Sequence, residues 1–263
     1  KGETWYHGVD EVPSGGVVSF REKESSPILN RYYRPFVYRP AQMSQEQAIS
    51  GIRERLCRSV ELRLRADVPV AFCLSGGVDS GALCSIAAKK MGYPVVAYSI
   101  IDPDPRYDES GNIDKVVADL GCRSEKIALK PALSLERLRE QVRYHDAPIA
   151  TISYYVHALL SEAISRDGFK VAVSGTGADE LLTGYYDHFL MHLAEVSGSE
   201  MYDQSLEDWR AYIKPVVRNP LLGQPELFQR GRLAVGHLYQ DADHYRGYLL
   251  ESFEEDFTQV YYC

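Results

Sequence analysis

The sequence predicts an α/β fold: a parallel sheet with helices on both faces, a short β segment before it and a helical extension after it. Three observations carry this expectation. Short apolar runs alternate with helical patterns between Val68 and Val173, as in consecutive βαβ units. The first runs are apolar throughout, the pattern of strands covered on both faces. After about Tyr185 no further run appears, and Pro215, Pro220 and Pro225 interrupt a polar, aromatic-rich stretch.

The elements follow in order. Residues 1–40 are rich in Gly, Pro, Ser and aromatics, with an alternating run at Gly16-Val17-Val18-Ser19-Phe20, and read as one or two strands with loops. Ser44 and Gln47 form a capping box ahead of a helix. Ala48, Ile52, Leu56, Val60 and Leu64 then recur at every fourth position and give that helix one apolar stripe. A buried strand over Val68–Leu74 leads into Ser75-Gly76-Gly77-Val78-Asp79-Ser80 and a helix to about Met91. Tyr93–Ile101 is a second strand. A helix over Asn112–Leu120 stops at Gly121, a glycine suited to the left-handed C′ position. A third strand covers Glu125–Leu129, and helices cover Ser134–Tyr144 and Ser153–Arg166. Phe169–Val173 is a further strand, running into Ser174-Gly175-Thr176-Gly177-Ala178-Asp179-Glu180. The aromatics beyond it read as helix-packing groups.

Composition limits the function. Hydrophobic residues make up 45% and charged residues 25% of the 263 residues, which is globular composition. No stretch reaches the roughly 18 to 20 apolar residues of a membrane helix. Lys and Arg number 29 against 37 Asp and Glu, a net charge of −8. Phosphate affinity in nucleic-acid binders is built from Lys and Arg, so neither a polynucleotide nor a membrane is an expected partner. The five cysteines, Cys57, Cys73, Cys84, Cys122 and Cys263, have no CxxC spacing. They suggest neither a disulfide framework nor a zinc site. Cys73 and Cys84 read as small buried apolar residues. With no signal-peptide pattern, a reducing, cytoplasmic setting is expected.

Ser75–Ser80 is the most informative stretch. Its glycines let the backbone turn sharply and approach an anion. Successive N–H groups, a helix start and two hydroxyls then converge, as in a phosphate nest. The plainer reading is a tight strand–helix turn. The loop is neither GxxxxGK[ST] nor GxGxxG. Asp79 would repel phosphate unless a cation sat between them, and Mg²⁺ bridges carboxylate and phosphate oxygens in this way. Asp79 therefore implies metal together with nucleotide.

SGGVDS resembles the pyrophosphate loop of the ATP pyrophosphatase superfamily. Within it, the chain is similar to the synthetase domain of glutamine-hydrolysing asparagine synthetases. Further stretches share the resemblance: Arg65-Ala66-Asp67-Val68-Pro69, Tyr107-Asp108-Glu109, and His145-Asp146-Ala147-Pro148 at the family's DEP turn. Ser174 to Glu180 with Gly184-Tyr185 matches its SGxGxDE…GY signature. The agreement runs over about residues 44 to 190. Gly8 to Gly16 resembles the strand-turn that closes the family's glutaminase domain.

The resemblance implies an adenine nucleotide alpha hydrolase-like fold and three segments: 1–40 as the end of an upstream glutaminase-like β domain, 41–190 as the ATP-binding core, and 191–263 as a truncated helical part. A chain beginning at Lys1 and ending at Cys263 is then expected to be a fragment. ATP and Mg²⁺ are the implied cofactors. Leu74 and Ile100 would flank adenine and ribose through their backbones. Ser75, Gly76, Gly77 and Ser80 would hold the departing pyrophosphate, and Val78, Asp79, Ser174 and Gly175 are further implied ATP-binding residues. Asp79 and Asp179 would share Mg²⁺, although Asp179 could instead cap its helix.

The implied reaction is an ATP-dependent amidation. A carboxylate is activated as an acyl-adenylate, with release of pyrophosphate, and is then attacked by ammonia from a glutaminase domain on the same full-length chain. Two positions depart from the pattern: Thr176 replaces a Glu on the acceptor side, and Ala147 replaces the DEP acid. The family's catalytic Lys has no counterpart here, and no catalytic base is assigned. The acceptor stays open between aspartate and another carboxylate such as a sugar uronic acid. A nucleotide-binding module without turnover and a homodimeric assembly also stay open.

Overall fold

The structure, a computed structural model, describes residues 4–22, 26–33, 42–129, 134–149, 151–217 and 219–227. The expected helical stretch beyond 227, with Cys263, lies outside the described residues. The chain divides into two compact units, Lys1–Gly175 and Thr176–Cys263.

The first unit opens with an antiparallel pair, β1 (Gly16–Ser19) and β2 (Ile28–Arg31), registered Gly16 to Arg31 and Ser19 to Ile28. Helix α1 (Gln45–Arg63) begins with the expected box: the Ser44 side chain accepts from the Gln47 amide, and the Gln47 side chain accepts from the Ser44 amide. The main sheet has the order β5-β4-β3-β6, with every described pairing parallel. Its strands are β3 (Val70–Cys73), β4 (Val96–Ile101), β5 (Arg123–Ala128) and β6 (Val171–Val173). Between them run α2 (Val78–Ser85), which continues as a wide turn to Lys90, α3 (Ser110–Leu120), α4 (Leu135–His145) and α5 (Ser153–Arg166). Gly121 closes α3 at φ +59°, as a left-handed C-cap requires.

Strand alternation sends successive side chains to opposite faces, and both faces are covered. Val70, Phe72, Leu74 and Ala97 pack with Val60, Cys84, Ala87 and Ile113 from α1, α2 and α3. Ala71 and Tyr98 pack with Leu160, Ala163 and Ile164 of α5. The apolar stripe of α1 is buried only in its second half: Val60 is 3% exposed, whereas Ile52 is 47% exposed beside an open groove. Cys84 is buried as expected, but Cys73 is only half-buried. Burial pushes their thiols up to about 12 and 11, which makes them poor nucleophiles.

A polar cluster fixes the direction of α5. Asp167, just past its end, accepts from the Tyr98 hydroxyl at 2.7 Å and from Arg123 at 2.8 Å. Arg166 pairs with Glu125. Arg123 and Glu125 lie at the amino end of β5, so α5 ends there and begins at the carboxyl end of the sheet.

The second unit contains α6 (Ala178–Leu182), α7 (Tyr186–Glu195) and α8 (Tyr202–Asp208), the last continuing as a wide turn to Ile213. Short 3₁₀ turns follow where Pro215, Pro220 and Pro225 remove amide donors. Leu190, Leu193 and Trp209 form its core, with Phe189 and Tyr202 packed against them. Tyr212 is instead 73% exposed.

Candidate functional site

The loop after β3 stands at the carboxyl end of the sheet, where open α/β folds bind ligands. Gly76 takes φ +80°, a conformation that costs an L-residue about 1 to 2 kcal/mol. A methyl there would also lie 3.1 Å from both Cβ and O of Glu109, so the Tyr107-Asp108-Glu109 stretch braces the turn. Asp108 accepts from the amide and hydroxyl of Ser110, and these bonds hold its carboxyl below the usual range.

Gly77 is the N-cap of α2 at φ −76° and ψ 164°, with no side-chain cap. The first amides of α2 can therefore be offered to an anion. Ser80 is 4% exposed, and its hydroxyl shapes the loop from within. It accepts from the Ser75 amide at 3.1 Å, lies 3.0 Å from the Ser75 hydroxyl and donates to the Gly77 carbonyl at 3.3 Å. Ser75 and Val78 are exposed, and Asp79 is half-buried in the first helical turn.

Leu74 is 1% exposed, and its amide donates to the Tyr98 carbonyl at 2.9 Å. Its carbonyl is what it can present to a ligand. Ile100 sits half-buried on the α5 face of β4. Ser174 is exposed beyond β6. Gly175 packs directly against the loop after β3: a methyl there would lie 3.1 Å from the Ser80 amide nitrogen and 3.2 Å from the Asp79 Cβ.

In the second unit, Thr176 is exposed and Asp179 half-buried on α6. Thr183 ends α6 at φ 60°, strain of the kind that collects at functional sites. Gly184 then donates to the Asp179 carbonyl, and a methyl at Gly184 would overlap the Asp179 carboxylate. The Tyr185 hydroxyl donates to Glu180 at 2.6 Å. This bond holds Glu180 below the usual carboxylate range and pushes Tyr185 up to about 12. The Gly76–Glu109, Gly175–Asp79 and Gly184–Asp179 contacts are absent from the sequence reading, and the motif glycines themselves are their only sequence signal.

Among the described residues no three His, Cys, Asp or Glu cluster as a metal site. Magnesium in nucleotide enzymes is held by one or two carboxylates plus phosphate oxygens and water, and Asp79 beside uncapped helix amides fits that donor set. No helix among the described residues is long and apolar enough to cross a membrane.

A parallel sheet with a glycine-turned loop at its carboxyl ends is the architecture in which open α/β folds place a ligand crevice. The chain belongs to the asparagine synthase family, whose model matches residues 51–244. It is 28% identical over 199 residues to the amidase chyE of Penicillium rubens, covering 69% of this chain and 30% of that protein. It is 29% identical over 167 residues to asparagine synthetase [glutamine-hydrolyzing] 1 of Bacillus subtilis, covering 63% and 26%. The chain thus spans less than a third of either relative. Among solved structures it is similar to the NH3-dependent NAD synthetase from Campylobacter jejuni, with TM-score 0.37 and 13% identity over 78% of this chain and 98% of that one.

Proposed function

We propose that this chain carries the nucleotide-binding part of an ATP-dependent amide-forming ligase. The observation that supports it most is the turn at Gly76–Gly77, which opens α2 without a side-chain cap beside Asp79. A substrate carboxylate oxygen attacks the α-phosphorus of ATP. The bond to the bridging oxygen breaks, and pyrophosphate leaves. Ammonia then attacks the acyl carbon, the carbon–oxygen bond to AMP breaks, and the nitrogen loses a proton to solvent. Activation is needed because a free carboxylate is a poor electrophile.

In this reading the Leu74 and Ile100 backbones border the adenosine, and Ser75 to Ser80 receive the departing pyrophosphate. The amides at the start of α2 stabilise its charge without reorganising. Bound Mg²⁺ would neutralise charge on the phosphates, with Asp79 as its protein ligand and Asp179 as a second acidic candidate. Residues 1–40 are read as the close of a glutaminase domain on the same full-length chain, which would supply the ammonia. The setting is read as cytoplasmic. The B. subtilis relative's name includes glutamine hydrolysis, and the P. rubens relative is called an amidase. Both names agree with amide chemistry.

The test is pyrophosphate exchange into ATP by the full-length protein with a panel of carboxylates. Exchange with at least one of them, lost in Asp79→Asn, is the expected result. Nucleotide binding without exchange on any carboxylate would overturn the ligase reading and leave a binding module.

A further inference from the structure

A second concavity of about 430 Å³ is lined by Trp5, His145, Ala147, Pro148, Ile149 and Tyr154. It lies within the first unit, at the turn between α4 and α5. Because α5 ends at the amino end of β5, this turn lies at the carboxyl end of the sheet, as the loop after β3 does. The Tyr6 hydroxyl donates to the Asp146 carbonyl at 2.5 Å, which ties the segment carrying Trp5 to the turn. Asp146 adopts φ 50° as the left-handed C-cap of α4. The turn it makes brings Ala147, Pro148 and Ile149 into the lining.

The chemistry of the lining is uniform. Among the described residues it contains no Asp, Glu, Lys or Arg. The His145 ring stands edge-on to Tyr144 and Tyr154, with centroids 5.3 Å from each and planes at 89°. Trp5 is 74% exposed, so its indole is available to a ligand. Gln141 lies one turn before His145 on α4. It is 6% exposed, and neither end of its side-chain amide has a hydrogen-bond partner. An ammonium or second carboxylate entering this lining would meet no opposite charge among the described residues. A flat ring would gain stacked and edge-to-face contacts instead.

We infer that this pocket takes an aromatic ring carried by the carboxylic acid to be activated, so that the acceptor is an aryl carboxylate rather than an amino acid. This rests on the ligase reading above for the fate of the carboxylate, but not for the binding of the ring.

The probe is phenylacetate, with acetate and aspartate as controls. The readout is tryptophan emission, excited at the red edge where phenylacetate is transparent. The protein has two tryptophans, Trp5 and Trp209, and Trp209 is buried in the second unit. Saturable quenching by phenylacetate alone, absent in Trp5→Phe, is expected. Ala147→Asp should weaken it about tenfold or more through the unpaired charge, and the isosteric Ala147→Asn much less. Several results would overturn the inference: no saturable quenching, quenching unchanged in Trp5→Phe, equal quenching by aspartate, or equal loss in the Asp and Asn variants. A Trp5 shielded from acrylamide and deaf to phenylacetate would also overturn it, because an aromatic side chain of the protein itself would then fill the pocket. Phenylacetate binding without pyrophosphate exchange would refute the ligase reading alone, and exchange without phenylacetate binding would refute the pocket alone.

Discussion

Gly76→Ala and Gly77→Ala are neighbouring substitutions with opposite expected outcomes. At Gly76 the backbone sits at φ +80°, which costs an alanine about 1 to 2 kcal/mol. The new methyl would also stand 3.1 Å from the Glu109 Cβ and carbonyl and 3.3 Å from the Asn112 Cβ. These atoms belong to the first turn of α3, which cannot rotate away. Overpacking of this kind costs about 1 to 3 kcal/mol, so the total is about 2 to 5 kcal/mol. At about 2 to 4 °C per kcal/mol, the Tm of the first unit should fall by roughly 4 to 20 °C. Gly77 has φ −76°, which alanine accepts, and its methyl would meet only the Ser75 hydroxyl at an ordinary 3.4 Å. Its cost is that of a poorer N-cap, under about 1 kcal/mol. Thermal unfolding followed by far-UV circular dichroism measures both, and titration with Mg-ATP tests whether affinity follows the same order. Equal Tm values for the two variants would refute the claim that the α3 start braces the loop.

Gly184→Ala should displace the Asp179 carboxylate, whose place the methyl would take. Pyrophosphate exchange should fall by tenfold or more, on the order of what a misplaced catalytic group costs, with the Mg²⁺ requirement raised and helix content unchanged; an unaltered Mg²⁺ dependence would remove Asp179 from the metal. Tyr98→Phe removes a donor that, ahead of Arg123, holds Asp167 below its usual value of 3.8. A depressed carboxyl contributes stability above its unfolded pKa and loses it as pH falls through the folded one. Wild type should therefore resist urea better than Tyr98→Phe at pH 7, and the gap should close below the usual Asp value; a gap that persists in acid would show that packing, not the bond, sets it. Ser44→Ala opens the capping box of α1 and should cost about 1 kcal/mol by urea unfolding, whereas no change would mean that α1 is held by Val60 and Cys57 alone.

The strands and helices were legible because local signals agreed with tertiary demand. The apolar run at Val70–Cys73 is a strand covered on both faces, and Ser44 with Gln47 caps α1 as written. The α1 stripe misleads because periodicity reports which residues share a face, not whether a partner covers the whole of it; Ile49 and Ile52 face a groove. Cys73 is likewise less buried than its apolar neighbours imply. At the site, residue types led to the expectation of an anion loop, but not that the Ser80 hydroxyl is spent inside the turn. The Tyr6–Asp146 bond joins residues 140 positions apart, and no local pattern encodes such a pairing.

The glycine contacts separate what the fold requires from what chemistry requires. Gly76 lets the loop lie on the α3 start, Gly175 lets β6 close on Asp79 and Ser80, and Gly184 leaves room for the Asp179 carboxylate. Each is explained by a close approach, whether or not ATP is ever cleaved. The serines divide in the same way, since buried Ser80 bonds within the loop while exposed Ser75 can also face a ligand. A glycine- and serine-rich signature therefore speaks first for the shape of the turn. The acids carry the chemical claim. Asp79 in the first turn of α2 is favoured by the helix dipole in its own right, so the proposed cation is tested by Asp79→Asn and not by the shape of the turn. In the proposed reading, Ala147 and Thr176 stand where the resembled family carries acids, with the turns at their positions kept. The fold can therefore be retained while the acceptor changes, and the aromatic lining at Trp5, His145 and Tyr154 is where that change would be felt.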